Sequence, residues 1–405
     1  MGGYSGAEFS KVNRKQAIVA AQPQSLEMIR KLVAFDTTSR NSNLELIDFV
    51  RNHLDGLGIE TVLVPDETGK KANLYGTIGP HDRPGIALSG HTDVVPVDGQ
   101  DWSSDPWAIV EREARLFGRG TCDMKGFLGC VLAAVPQFAR TRLETPLHLL
   151  FSFDEEVGCL GVRRALTMIK DLPVKPKGCI IGEPTSMQVA IAHKGKKSVR
   201  AHVHGKECHS SLAPKGVNAI EYAAEAIAYL KGMARRFAAE GPFDYDYDVP
   251  HTTVHTGVIQ GGTALNIVPK DCHFNFEFRH LPANDPEKLY GEFKEFVERQ
   301  LLPEMRKVAP ETGFSFEQIS AFPGLDTSED SDITTLGKSL AQANGTTKLA
   351  FGTEGGLIQE IDIPTIICGP GSIEQAHKPD EYVDIDQIAQ CEAFLERLRG
   401  KLAKQ

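Results

Sequence analysis

The sequence predicts an α/β protein: a helix-covered mixed sheet interrupted by a smaller inserted α+β unit of ferredoxin-like order. Three observations carry that reading. From Ser25 to about Ala192, short apolar runs alternate with helix-like stretches, the rhythm of a sheet covered by helices. A similar pattern returns from Ser331 onward. Between them, from about Lys194 to Phe322, the order changes to β-α-β-β-α-β, the ferredoxin-like split motif.

In the flanking pattern, Gly85–Ser89, Leu147–Phe153, Gly178–Ile181 and Thr365–Cys368 are apolar runs that read as buried strands. The stretches Gly126–Phe138 and Ile333–Ala343 read as helices. The middle reads as strand Ser198–His204, helix Gly216–Ala239, strands Thr253–Ile259 and Asp271–Phe278, helix Pro286–Leu302 and strand Gly313–Ile319. Length agrees with more than one unit. The chain has 405 residues, whereas a single core stops growing near ~250–300. The division is 1–193 and 323–405 as two segments of one domain, with 194–322 inserted between them.

Composition excludes several classes of partner. Hydrophobic residues make up 41% and charged residues 24%, a globular mix. The balance of 44 basic against 54 acidic residues gives −10, which repels nucleic acid and anionic membrane. Eight Cys with no C-x-x-C pair read as small buried thiols of a reducing compartment. The first dozen residues read as a polar tail, and Ala17–Ala21 is too short an apolar patch for a signal-peptide core. No run reaches the ~18 apolar residues that span a bilayer. The expectation is a cytoplasmic protein without nucleic-acid or membrane partners.

The polar residues at strand ends are the functional signal. Strand Gly85–Ser89 runs into Gly90-His91-Thr92-Asp93, and Leu147–Phe153 runs into Asp154-Glu155-Glu156. Strand Gly178–Ile181 runs into Gly182-Glu183-Pro184, and Thr365–Cys368 leads through Gly369-Pro370-Gly371 to His377. Ligands of open α/β sheets bind beyond the carboxyl ends of strands, so all four deliver His or carboxylate to one edge. A fifth segment, Gly118–Gly126, brings Asp123 in a glycine-permitted turn ahead of a helix. Taken alone, Glu155-Glu156 is a solvated turn, His91 a core histidine and Asp123 a helix cap. Converging on one edge, they would repel unless cations lay between them. Mixed N/O ligation suits Zn²⁺ and is compatible with Co²⁺ or Mn²⁺; more than four protein ligands points to two ions. His91 and Asp93 share a face of an extended segment, so Asp93 can orient the imidazole. Of the neighbours Glu155 and Glu156, one can ligate while the other faces a water as general base.

Other motifs lead nowhere at this level. His202 and His204 form H-x-H on one strand face of the inserted unit, without a nearby carboxylate partner. His251 and His255 lie in an extended stretch, where four residues span about 13 Å and cannot share an ion. Gly337-Lys338-Ser339 resembles a phosphate-loop ending, but Asp332 occupies the required glycine position. Cys122, Cys159 and Cys368 read as buried small residues. No G-x-S-x-G elbow is present.

As strings, Gly90–Pro96 (GHTDVVP), Gly118–Gly126 (GRGTCDMKG), Asp154–Glu156, Gly182–Ser186 (GEPTS) and Ala376–Tyr382 (AHKPDEY) resemble the di-zinc metallopeptidase superfamily. Its members include aminoacylases, carboxypeptidase G and succinyl-diaminopimelate desuccinylases. The resemblance covers nearly the whole chain beyond the N-terminal tail. Phe351–Glu354 (FGTE), the run Cys368–Tyr382, and His193-Lys194-Gly195 ahead of Gly216–Glu221 are most similar to its acetylornithine deacetylase subgroup.

The resemblance implies a catalytic domain with an inserted lid or dimerisation domain, and a role for each residue. His91, Asp123 and Glu183 would hold one ion, and Asp123, Glu156 and His377 the other. Glu155 would be the general base, and Asp93 would orient His91. His209 would polarise the scissile carbonyl, while Asn266 and Arg279 would bind substrate. Desuccinylase-type members are dimers in which the partner subunit supplies that histidine. Phe278-Arg279-His280 departs from the Arg-Pro of many members but keeps the arginine. By charge, Glu354 would pair with the side-chain ammonium of ornithine, or else be a surface acid or one that supports the site from behind. The implied activity is metal-dependent removal of the acyl group from an N-acyl amino acid, N2-acetyl-L-ornithine foremost, by a homodimer. A desuccinylase, a general aminoacylase and a silent zinc or amino-acid binder are the competing readings.

Overall fold

The computed structural model describes residues 21–404; the polar tail and most of Ala17–Ala21 lie outside them. A nine-stranded sheet forms the larger unit. At its centre Leu147–Ser152, Ile86–His91, Gly178–Pro184 and Thr365–Gly369 run parallel, each neighbour hydrogen-bonded to the next. Thr61–Pro65 and Ala72–Ile78 extend one edge antiparallel; Ala190–His193, Leu325–Asp326 and Thr347–Leu349 extend the other.

The four central strands are nearly continuous apolar runs because both faces are covered. Alternate residues divide between two cores. Ile180 and Ile366 pack on the side of helices Pro23–Val33, Lys125–Arg140 and Ile385–Leu402. Cys179, Ile181 and Ile367 pack on the side of Val162–Lys170 and Gly355–Gln359. The result is a three-layer α/β/α sandwich.

The inserted unit is a four-stranded antiparallel sheet in the order Thr253–Gly261, Asp271–His280, Gly195–His204, Gly313–Phe322. Two helical stretches cover one face. The first, Ala219–Glu240, starts where the Asn218 side chain accepts the N–H groups of Ile220 and Glu221, three residues after the expected start. The second begins at Pro286 and continues past the expected end at Leu302 to Val308, through a π-helical turn at Val297–Leu301. That turn sets Pro303 near the start of a fresh helical segment, where its missing N–H costs no bond. Phe274, Phe276 and Phe278 alternate along one strand into this core, each stabilising by roughly 1.5–3 kcal/mol relative to exposure.

A third, three-stranded sheet was not legible in sequence. Tyr382–Asp384 pairs with Arg115–Phe117, which pairs with Val110–Arg112. It carries the segment after His377 alongside the Gly118–Asp123 loop. Among the described residues, no helix is long and apolar enough to cross a membrane.

Candidate metal centre and active site

The four parallel strands end together, and their following turns meet the Gly118–Asp123 loop. Close approach is built in. A Cβ on Gly369 would sit 2.0 Å from the carbonyl oxygen of Gly182, so the third and fourth strand ends can converge only with glycine there. Gly120 holds φ +84° within the Asp123 loop, a conformation suited to glycine. His377 holds φ 63° and Asp154 φ 55°, left-handed conformations that their surroundings must enforce.

Two donor triads share one carboxylate. His91, Asp123 and Glu183 form the first, and Asp123, Glu156 and His377 the second, with ligand atoms of each within 4.8 Å of one another. Asp123 Oδ1 lies 3.0 Å from His91 Nε2, while Oδ2 lies 3.3 Å from His377 Nε2. Glu183 Oε1 stands 3.5 Å from His91 Nε2, and Glu156 Oε2 3.0 Å from His377 Nε2. The two oxygens of Asp123 thus face two separate triads, the arrangement of a bridging ligand.

The donors are crowded and mostly anionic. Burial drives the Glu156 carboxyl up to about 7, with Asp123 adding to the rise. Burial likewise raises Glu183 and Glu155 well above the carboxylate range, each with neighbouring carboxylates contributing. Burial opposes ionisation of Asp123, yet hydrogen bonds from His377 and His91 hold it low. Hydrogen bonds to Asp123 and then Glu156 lift His377 to about 10. Two imidazoles among several carboxylates make a mixed N/O donor set that divalent ions fit.

Asp93 meets His91 chiefly through its backbone. His91 Nδ1 donates to the backbone carbonyl of Asp93 at 2.8 Å, whereas the carboxylate Oδ1 stands 3.6 Å away. The carbonyl therefore fixes the tautomer that leaves Nε2 free for metal. The Asp93 carboxylate instead accepts the N–H groups of Glu155 and Glu156 at 3.1 and 3.3 Å and the hydroxyl of Ser39 at 2.7 Å. It holds in place the turn that carries Glu155 and Glu156.

A cavity opens over the triads, lined by Asp123, Glu155, Glu156, Glu183 and His377, and by Lys196, Arg279 and Phe322 of the inserted unit. Arg279 Nε is held 3.0 Å from Glu277 Oε1. His209 and Asn266 do not line it. They lie side by side on exposed loops of the insert, where Ser210 N–H donates to the Asn266 carbonyl at 3.0 Å. Glu354 does not line the cavity either: it is 2% exposed beneath it, with Oε1 lacking a hydrogen-bond partner, and burial pushes its carboxyl up to about 7. A solvent-facing pair with a substrate ammonium is not its position.

The matching family model is Peptidase family M20/M25/M40, over residues 87–399. This chain belongs to that family. It is 35% identical to the acetylornithine deacetylase of Pasteurella multocida over 386 residues, 94% of this chain and 98% of that protein. It is 33% identical to that of Myxococcus xanthus, covering 91% and 95%. A family M20 metallo-carboxypeptidase from Sulfolobus solfataricus superposes with TM-score 0.74 at 18% identity, covering 94% of this chain and 99% of that one. A tripeptidase from Staphylococcus aureus superposes at 0.72 and 20% identity, covering 95% and 100%. As a family member the chain is a hydrolase, and the family implies divalent metal ions at the clustered donors.

Within this M20 site, one residue had no expected role. Glu381 is 1% exposed and paired with the equally buried Arg119 at 2.6 Å. Its Oε2 also accepts the N–H of Gly120 at 3.1 Å, and its Oε1 those of Cys122 and Asp123 at 2.9 and 3.0 Å. Arg119 continues to Gln100 Oε1 at 2.6 Å, and Gln100 donates to the carbonyl of His377 at 3.0 Å. Glu381 lies within Ala376–Tyr382, but only the Tyr382–Asp384 strand pairing shows what it grips. The reading of His202 and His204 needs revision too: Glu317 and Asp271, remote in sequence, stand beside them.

Proposed function

We propose that this chain hydrolyses N-acyl amino acids, with N2-acetyl-L-ornithine as substrate and L-ornithine and acetate as products. The observation that carries the reading is the pair of triads sharing Asp123, with Glu155 in the same cavity. The curated relatives' name supports N-acetylornithine within that class. His91, Asp123 and Glu183 would hold one divalent ion and Asp123, Glu156 and His377 the other; the donor set favours Zn²⁺, with Co²⁺ or Mn²⁺ substituting. When bound, such a pair supplies Lewis acidity at the acyl oxygen and lowers the pKa of water.

The chain's own residues do the rest. Glu155 takes the proton of the attacking water and returns it to the leaving amine. Its burial-raised carboxyl suits both transfers once neighbouring anions are neutralised. Arg279 grips the substrate α-carboxylate, and Lys196 adds positive charge beside it. The Nδ1 of His209 accepts the N–H of Ser211 at 3.2 Å, which leaves the proton on Nε2 to stabilise the developing oxyanion. His209 and Asn266 reach the cavity by closure of the insert, residues 194–322, or by assembly of a homodimer through it. We place the enzyme in the cytoplasm, in amino-acid biosynthesis.

The test compares turnover of N-acetylornithine, N-succinyl-diaminopimelate and N-acetylmethionine, each with and without a chelator. N-acetylornithine is expected to give the highest kcat/KM, and the chelator to abolish it. Chelator-insensitive turnover would sink the metal-dependent reading. Preference for another substrate would move the chain to a sister activity. Glu155→Gln is expected to lower kcat by roughly 10²–10⁴ with metal content unchanged; intact turnover would remove Glu155 as the base.

A further inference from the structure

Outside the active site, the open face of the inserted sheet gathers three imidazoles. His202 and His204 lie two residues apart on Gly195–His204, so both leave the strand on the same side. His273, on the neighbouring strand, is the direct cross-strand partner of His202. The opposite face is filled by Val199, Ala201, Val203 and the Phe row, so these rings point away from the helices. Ring centroids of His202 and His273 are 5.7 Å apart, and those of His202 and His204 6.3 Å, with the latter planes within 8° of parallel.

We propose that His202, His204 and His273 form a further transition-metal site of the zinc class, separate from the paired centre. Two imidazoles leave alternate positions of one strand and the third stands directly across the ladder, so all three rise from one face of the sheet within reach of a common ion once the rings turn. Three imidazoles with an open fourth position are an established zinc ligand set, and neutral imidazole equally suits Ni²⁺ and Cu²⁺. The surroundings add charge of the required sign. Asp271 Oδ1 stands 3.6 Å from His204 Nδ1, and Glu317 Oε2 4.0 Å from His202 Nε2. Such carboxylates orient a ligating imidazole through its other nitrogen. Arg200 offsets part of this, since its Nη1 lies 3.6 Å from the same Glu317 oxygen. Convergence on an ion requires the stacked rings to turn about their terminal torsions, which side chains 39% and 53% exposed at His202 and His204 can do. An ion here would cross-link Gly195–His204 to Asp271–His280, the strands that also carry Lys196 and Arg279 to the active-site cavity.

The test is metal content after equilibrium dialysis of the full chain against buffered free Zn²⁺. The double variant His202→Asn, His273→Asn is expected to hold one ion fewer per chain than the unsubstituted protein and to turn over substrate at the same rate. His204→Asn alone, a single surface substitution that removes one of the three ligands, should weaken that ion. Equal zinc content in the unsubstituted and double-variant proteins overturns the site. Because the readout is a difference of one ion, it stands apart from the proposed hydrolysis: loss of turnover in the unsubstituted protein would defeat that reading and leave this one intact.

Discussion

The Glu381 carboxylate holds Asp123, the residue common to both donor triads, by its backbone: Oε1 accepts the Asp123 N–H at 3.0 Å and the Cys122 N–H at 2.9 Å. A carboxylate accepting several backbone N–H bonds would ordinarily ionise easily. Here burial pushes Glu381 upward against the attraction of Arg119. The pair is held by geometry on every side, and removing one half of a buried ion pair costs roughly 3–5 kcal/mol.

Glu381→Gln, which keeps the shape and loses the charge, is therefore the informative variant. Its metal affinity should fall roughly ten- to a hundredfold, measured by competition with a chromophoric chelator. Excess metal should restore much of kcat, because the ligands themselves are intact. Unchanged affinity would reduce Glu381 to a fold-stabilising role.

His209 gives a second prediction. It is exposed and absent from the cavity lining, so it contributes to catalysis only if the insert moves or a partner supplies it. His209→Ala should lower kcat by about 10²–10³, the usual worth of one oxyanion donor, with KM nearly unchanged. An unaffected kcat would remove His209 from the reaction and the need for closure with it.

Glu354 gives a third. The expected pair with an ornithine ammonium does not suit a carboxyl only 2% exposed, beneath the cavity. Glu354→Gln should change KM for N-acetylornithine and N-acetylmethionine by the same factor. A selective rise for N-acetylornithine would restore the specificity role.

What the sequence made legible follows from what it encodes locally. The strands that lead to His91, Glu155, Glu183 and His377 announce themselves because a buried parallel strand is an apolar run, and the polar residues that follow it stand out. The ferredoxin-like order of the insert is similarly local. Partnerships made across the fold are not. Tyr382–Asp384 is three residues long, and nothing in its string says that it pairs with Arg115–Phe117 and thereby places Glu381 under Asp123. Face-sharing alone pairs the Asp93 carboxylate with His91, but the turn carrying Glu155 and Glu156 folds back onto it. His202 looked isolated because Glu317 is 115 residues away along the chain, although only one strand away in the sheet.

The crossing between the two units supplies the last prediction. His193 ends a strand of the large sheet, directly before the insert, and is fully buried. Its Nδ1 donates to the Lys194 carbonyl at 2.9 Å, while Nε2 has no hydrogen-bond partner, and burial holds the ring down at about 4. His280, returning from the insert, is also buried with Nε2 unpartnered, and burial lowers it as well. A histidine whose folded value lies below its unfolded one is neutral in the folded chain. The unfolded chain then binds the extra proton from about pH 6.5 down to 4, so the stability His193 confers is complete above pH 6.5 and is lost as pH falls through that window. The full loss for His193 is roughly 3 kcal/mol. His193→Asn keeps a donor near the Nδ1 position and cannot titrate. Denaturant unfolding between pH 7.5 and 4 should therefore show a shallower acid limb for this variant, by about that amount. An unchanged acid limb would mean that the proton finds its destabilising site elsewhere than at this crossing.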